Sequence, residues 1–158
     1  MPRRITADEL NSFVTSSVEV LEKLARISTQ VGTLRRQQWS IPLDRLIIVI
    51  GIEGDLYGRV VFHFDPLVLE RILASMLGTP TPPLTDPICL DTLGEVANII
   101  AGNATGRMEA LGLQIAITPP QVLIWKDVSQ EVPEHEGIVV PLKSTWGEIG
   151  VSIFLENA

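Results

Sequence analysis

Residues Leu90 to Leu111 carry the pattern that most restricts how this chain can fold. At the roughly 100° step of an α-helix, Leu90, Leu93, Ala97, Ile100, Ala101, Ala104, Met108 and Leu111 gather on one side, at spacings of three and four. That is the apolar stripe of a helix lying on a core. Asp91, Glu95, Asn98, Gly102, Thr105 and Glu109 fall on the other side, with Gly106 beside them. Glu95 and Asn98 are one turn apart and point the same way. Asp86-Pro87 supplies a start signal and Gly112 a stop signal. A fold built around this helix covers one side and leaves a carboxylate next to a carboxamide, above two glycines, open to a close approach by another molecule.

The remaining chain reads in order as follows. Thr6-Ala7-Asp8-Glu9 fits a capping box, and Leu10, Phe13, Val14, Leu21, Leu24 and Ala25 continue at helical spacing, so a first helix is expected from about residue 7 to about residue 25. Thr29 to Trp39 reads as an irregular or edge strand. Arg45 to Ile52 is a β-branched run, and Leu56 to Phe64 answers it across Glu53-Gly54-Asp55, which predicts a hairpin with Leu56, Gly58, Val60, Phe62 and Phe64 on one face. Asp65-Pro66 starts a second helix that ends at Gly78. Thr79 to Thr85 holds three prolines and cannot extend a helix. After the long helix the chain is β-like: Leu113 to Thr118, Val122 to Trp125, Gly137 to Pro141 and Glu148 to Leu155, with Pro119-Pro120 bending or ending a strand and a polar loop from Lys126 to Glu136. Gly58…Phe62 and Gly150…Phe154 share a pattern that hints at a duplicated helix-plus-sheet unit. The expected architecture is α+β: one domain over residues 1–158, with an antiparallel sheet of about six strands, long helices packed on it and a loose internal duplication.

Composition narrows the function classes. With 46% hydrophobic and 20% charged residues in 158, the chain can bury a sizeable core. Its formal charge is -7 and its arginine pairs, Arg3-Arg4 and Arg35-Arg36, are isolated, so a nucleic-acid partner is not expected. The longest strictly apolar run, Leu46 to Ile50, is far shorter than the roughly 20 residues that cross a bilayer, so no membrane partner is expected either. Met1-Pro2-Arg3-Arg4 leads into a polar helix and not a signal peptide. Cys89 is the single cysteine, which rules out an intrachain disulfide and suits a reducing cytoplasm. His63 and His135 are the only histidines and no metal-binding spacing occurs, so no metal site is expected. Cys89 has no histidine nearby in sequence and reads as a small buried residue. Trp39, Trp125 and Trp146 lie in or next to strands and read as core or interface.

The chemistry therefore concentrates at Asp91, Glu95 and Asn98. Glu-x-x-Asn alone is a weak signal, because residues of this kind commonly do no more than keep a helix face wet. Its setting adds to it: the spacing Asp91…Glu95…Asn98 opens a long helix, Gly102-Asn103 continues the polar side, and Thr118-Pro119-Pro120 follows after a strand. On these residues the chain resembles the CheC/CheX/FliY phosphatases of bacterial chemotaxis, and their CheX-like members in particular. CheC-like members carry Glu-x-x-Asn twice, whereas here the first helix offers Glu9-Leu10-Asn11-Ser12, with serine in place of asparagine.

The resemblance implies a phosphatase for the aspartyl phosphate of a CheY-like response regulator. Asn98 would orient the attacking water, because a carboxamide both donates to and accepts from one water molecule. Glu95 would dock to a regulator lysine. Asp91, Ile99 and Gly102 would contact the partner, with Asp91 also favourably placed near the helix N-terminus. No cofactor is implied in this chain, since the Mg²⁺ of the reaction would belong to the regulator. A homodimer formed through the sheets is implied too. A non-catalytic scaffold with the same fold is the alternative.

Overall fold

The computed structural model describes residues 4–38, 46–124 and 136–156. The first helix, α1 (Ala7–Ala25), begins where the capping box places it: the Thr6 hydroxyl accepts from Glu9 N–H at 3.2 Å and the Glu9 carboxylate accepts from Thr6 N–H at 2.9 Å. The segment expected as an edge strand divides into β1 (Gln30–Val31) and β2 (Arg35–Gln38). The predicted hairpin is β3 (Leu46–Gly54) and β4 (Gly58–Phe64), paired antiparallel from Ile47↔His63 to Ile52↔Gly58. Helix α2 (Pro66–Leu77) starts at its proline, but Asp65 makes no side-chain bond to it; the Asp65 carboxylate accepts from Glu148 N–H at 2.7 Å. Helix α3 (Pro87–Ala110) is the long one, with Asp86 accepting from Ile88 N–H at 3.0 Å and Gly112 in the left-handed region at φ 88° just past its end.

The second half supplies β5 (Ile115–Ile117), β6 (Gln121–Ile124), β7 (Glu136–Ser144) and β8 (Gly147–Leu155). Strand β7 runs past Pro141, where the sequence reading ended it. A proline interrupts a ladder only where its N–H is needed, and at Pro141 the opposing chain needs an acceptor: Gly32 N–H donates to Pro141 O at 2.8 Å. Arg45, Trp39, Trp125, His135 and the expected loop from Lys126 lie outside the described residues, except that Glu136 opens β7.

All eight strands form one antiparallel sheet in the order β1-β7-β8-β4-β3-β5, with β2 also on β7 and β6 also on β3. The described residues form eight strands where about six were expected, because the run read as one strand from Thr29 divides into β1 and β2, and the two runs on either side of Pro119-Pro120 are separate strands, β5 and β6. The order is palindromic. Exchanging α1-β1-β2-β3-β4 with α3-β5-β6-β7-β8 leaves every pairing intact, and β4 and β8 pair with each other at the centre. The duplication is therefore present in the topology, and among the described elements α2 is the one without a counterpart. The motif that hinted at it is out of register, however. Phe62 lies among the core residues beneath the helices and Phe154 in the cluster on the opposite face of the sheet. Since alternate residues of a strand point to opposite faces, Gly58…Phe62 and Gly150…Phe154 are not structural equivalents.

All three helices cover the same face. Ile48, Ile50 and Ile52 of β3, Val60 and Phe62 of β4, and Val151 and Ile153 of β8 pack there with Phe13 and Leu21 of α1, Val68 and Ile72 of α2, and Leu93, Ile100 and Met108 of α3. Each such side chain contributes about 1.5–3 kcal/mol by leaving water. On the other face Ile47, Val49, Val61 and Phe154 are also buried, which is why β3 reads as an unbroken apolar run.

Two glycines make a testable contrast. A Cβ at Gly58 would strike the Phe154 carbonyl across the β4–β8 ladder, whereas a Cβ at Gly106 meets nothing within 4 Å. Gly58→Ala is expected to lower unfolding free energy by about 1–3 kcal/mol. Gly106→Ala is expected to raise it by up to about 1 kcal/mol, the helix-interior penalty of glycine. Urea denaturation of both variants checks this.

Candidate active site

Helix α3 sits as its sequence dictates. Leu93, Ala97, Ile100, Ala101, Ala104 and Met108 are buried, together with Cys89, Gly94 and Val96. Leu90 is half-buried and Leu111, expected in the stripe, is 47% exposed because it lies at the helix cap, past the edge of the core. With that stripe inward, Asp91, Glu95, Asn98 and Gly102 face out, all four exposed. Ile99 is half-buried and packs against the core, so only part of it is open to a partner.

The two hydroxyls on α3 are already used: Thr92 donates to Ile88 O at 2.7 Å and Thr105 to Ala101 O at 2.9 Å. Asp91, Glu95 and Asn98 have no hydrogen bond or ion pair among the described residues. A Cβ on Gly102 would meet nothing within 4 Å, so the backbone below the pair is bare. Farther along, Arg107 is paired with Glu19 of α1 at 2.6 Å across the exposed edge of the helix pair, a contact of little energetic weight at that exposure.

A shallow groove runs beside the pair, lined by Leu90, Asp91, Gly94, Glu95, Asn98, Pro120 and Val122. One side belongs to α3, and the far wall is Pro120, just before β6, with Val122 of β6. Sequence reasoning singled out Asp91, Glu95 and Asn98 but missed Gly94 and Val122, whose place depends on how β5 passes into β6. Pro120 it recorded as a strand bend and as part of the pattern behind the family resemblance, but not as a residue of the site.

The corresponding junction of the other half has a groove of different chemistry, lined by Ile5, Thr6, Ala7, Leu10, Leu34, Arg35, Arg36 and Ile138. Glu9 is buried in its capping box, and Ser12 is buried and donates to Asp8 O at 3.1 Å. The half-matched motif of α1 therefore presents no outward carboxylate at Glu9 and no carboxamide at the position matching Asn98, and it forms no second copy of the α3 arrangement.

Among the described residues no group of three or more His, Cys, Asp and Glu could hold a metal ion, and no helix is long and apolar enough to cross a membrane. Cys89 is buried, with its thiol directed at Pro83 O (3.3 Å) and Pro82 O (3.5 Å). Burial raises its pKa, and the neighbouring Asp86 carboxylate raises it further, so the thiolate that would act as nucleophile is disfavoured. Trp146 is exposed in the turn between β7 and β8, with the Arg71 guanidinium 5.2 Å from its ring centroid. In folded protein at neutral pH, Cys89 should fail to react with an aromatic disulfide reagent such as DTNB over a period in which the urea-unfolded chain reacts fully; absorbance of the released thiolate measures both.

The chain matches the family model described as "Chemotaxis phosphatase CheX" over residues 46–143. It is 26% identical over 119 residues to the CheY-P phosphatase CheX of Thermotoga maritima, in an alignment covering 75% of this chain and 77% of that protein. Among solved structures it is similar to chemotaxis protein CheX from Vibrio vulnificus, with 23% identity, TM-score 0.79 and coverage of 95% and 100% of the two chains. It is also similar to a chain of the CheX-CheY-BeF3-Mg²⁺ complex from Borrelia burgdorferi, with 21% identity, TM-score 0.75 and coverage of 98% and 100%.

Proposed function

Because the chain belongs to the CheX family of chemotaxis phosphatases, we propose that it hydrolyses the aspartyl phosphate of a CheY-like response regulator, with Asn98 and Glu95 as the residues it contributes. The observation that carries this reading is that the pair stands exposed on one face of α3, above a bare Gly102 and beside a groove. Side chains that are neither packed nor bonded within their own fold are free to enter another protein's reaction centre.

The reaction needs little from a helper. Water attacks the phosphorus, the bond from phosphorus to the aspartate oxygen breaks, the regulator recovers its carboxylate, and inorganic phosphate leaves with the water's oxygen. What limits such a step is the placing of the water. Asn98 holds it in line by accepting from it through the amide oxygen and donating to it through the amide nitrogen, much as a glutamine orients water in GTPases. Glu95 pairs with a lysine of the regulator and fixes the register of docking. Asp91, Gly102 and the accessible part of Ile99 complete the contact. The Mg²⁺ that stabilises the phosphoryl group belongs to the regulator.

Loss of label from a radiolabelled phospho-regulator tests the reading. Asn98→Ala should slow catalysed loss by about 100-fold, the cost of a misplaced reactant, with unfolding unchanged. Glu95→Ala should chiefly weaken binding of the phosphorylated regulator. Tight binding by the wild-type protein with no acceleration would identify a scaffold instead of an enzyme.

The reading also includes a homodimer, supported by the short outer strands: Gln30, Val31, Arg35, Arg36 and Gln38 on one side and Ala116 and Gln121 on the other are exposed. Sedimentation equilibrium should return twice the 17.3 kDa chain mass.

A further inference from the structure

The far wall of the α3 groove is a bulge. Strand β3 pairs with β5 as far as Ile52↔Ile117 and with β6 from Val49↔Gln121. Thr118, Pro119 and Pro120 are therefore opposed only by Ile50 and Gly51, and the surplus residue bends the strand. Neither proline has an N–H to donate, so Thr118 supplies the bonds that hold the bulge. Its N–H donates to Gly51 O at 3.0 Å, and its Oγ1 accepts from Gly51 N–H at 2.7 Å. The hydroxyl also lies 3.4 Å from Pro119 O, to which it donates. Glycine at position 51 makes room for the clamp, since a Cβ there would sit 2.9 Å from Thr118 Cγ2.

The other half provides the comparison. There Gly32, Thr33 and Leu34 are opposed by Val140 and Pro141 in the same three-against-two arrangement, and Gly32 N–H donates to Pro141 O at 2.8 Å. Pro141 has no N–H and Gly32 no hydroxyl, so the side-chain bond is missing. Both halves have the bulge, but only the half carrying Glu95 and Asn98 fastens it with a hydroxyl.

We infer that Thr118 is a positioning residue for the α3 site: its hydroxyl locks the bulge so that Pro120 and Val122 form a fixed rim, beside Glu95 and Asn98, on which the response regulator seats. The inference rests on the reading of this groove as the regulator's docking site. Valine at position 118 keeps the shape of threonine and removes the acceptor, leaving the Gly51 N–H unsatisfied. Serine keeps the acceptor and loses a methyl group.

Initial rates of phosphate release from a phosphorylated CheY-like receiver domain, over a range of receiver concentrations, should give Thr118→Val a KM about tenfold higher, the equilibrium cost of one lost hydrogen bond, with kcat little changed. Thr118→Ser should keep a KM near wild type even where thermal unfolding shows that it, too, has lost stability. A KM for folded Thr118→Val equal to wild type, or a serine variant as impaired as the valine one, overturns the clamp. Should Thr118→Val fail to fold, Pro120→Gly frees the same rim with both Thr118–Gly51 bonds retained; it should raise KM likewise, and an unchanged KM is equally fatal. An active wild-type enzyme with an insensitive rim refutes this inference alone, whereas a wild-type protein that neither binds the receiver nor speeds phosphate release refutes the underlying functional reading as well.

Discussion

Everything in this fold depends on covering the helix-facing side of the sheet, and α1 and α3 do most of it by lying against each other. That requires small side chains where the helices meet the core. Ala97, Ala101 and Ala104 of α3 and Ser16 and Ser17 of α1 are all buried; the Ser17 hydroxyl donates to Phe13 O at 2.7 Å, while the buried Ser16 hydroxyl has no partner among the described residues. Once the stripe from Leu93 to Met108 is committed to the core, the opposite face of α3 has no freedom left. Glu95 and Asn98 are presented outward because of how the rest of the helix is buried, and no loop has to be ordered to expose them.

Much of this was legible in the sequence. The 3.6-residue period located α1 and α3, the Thr6…Glu9 box and the two Asp-Pro pairs marked helix starts, and the polar side of α3 identified the candidate site. Strand boundaries were harder, for physical reasons that can be named. The β3 run is apolar throughout because both its faces are buried, so its alternation carried no information about which side met the helices. Pro119-Pro120 and Pro141 read as strand breaks, whereas each falls at a bulge, where the ladder tolerates a missing N–H. Bulges are long-range features: which residues oppose Thr118 or Gly32 is settled by strands far away in the chain, and local patterns cannot report it. Val122 was overlooked as part of the site for this reason.

The palindromic sheet order makes the chemical difference between the two halves easier to interpret. Glu9 and Glu95, Ser12 and Asn98, Leu34 and Pro120, and Arg36 and Val122 are all separated by the same interval along the chain. At one end of the molecule these positions give a capping carboxylate, a back-bonded serine, an exposed leucine and an arginine. At the other they give an open acid and amide next to a proline-walled groove. One architecture thus supports two surfaces, and the surfaces differ through a few side chains at matching positions.

The capping box of α1 also limits what a single substitution could achieve at that end of the molecule. Glu9 spends its carboxylate on the backbone at Thr6, so the group fastens its own helix. Replacing Ser12 with asparagine would not by itself create the outward-facing arrangement of α3, because the acid cannot turn outward without releasing the helical turn it secures.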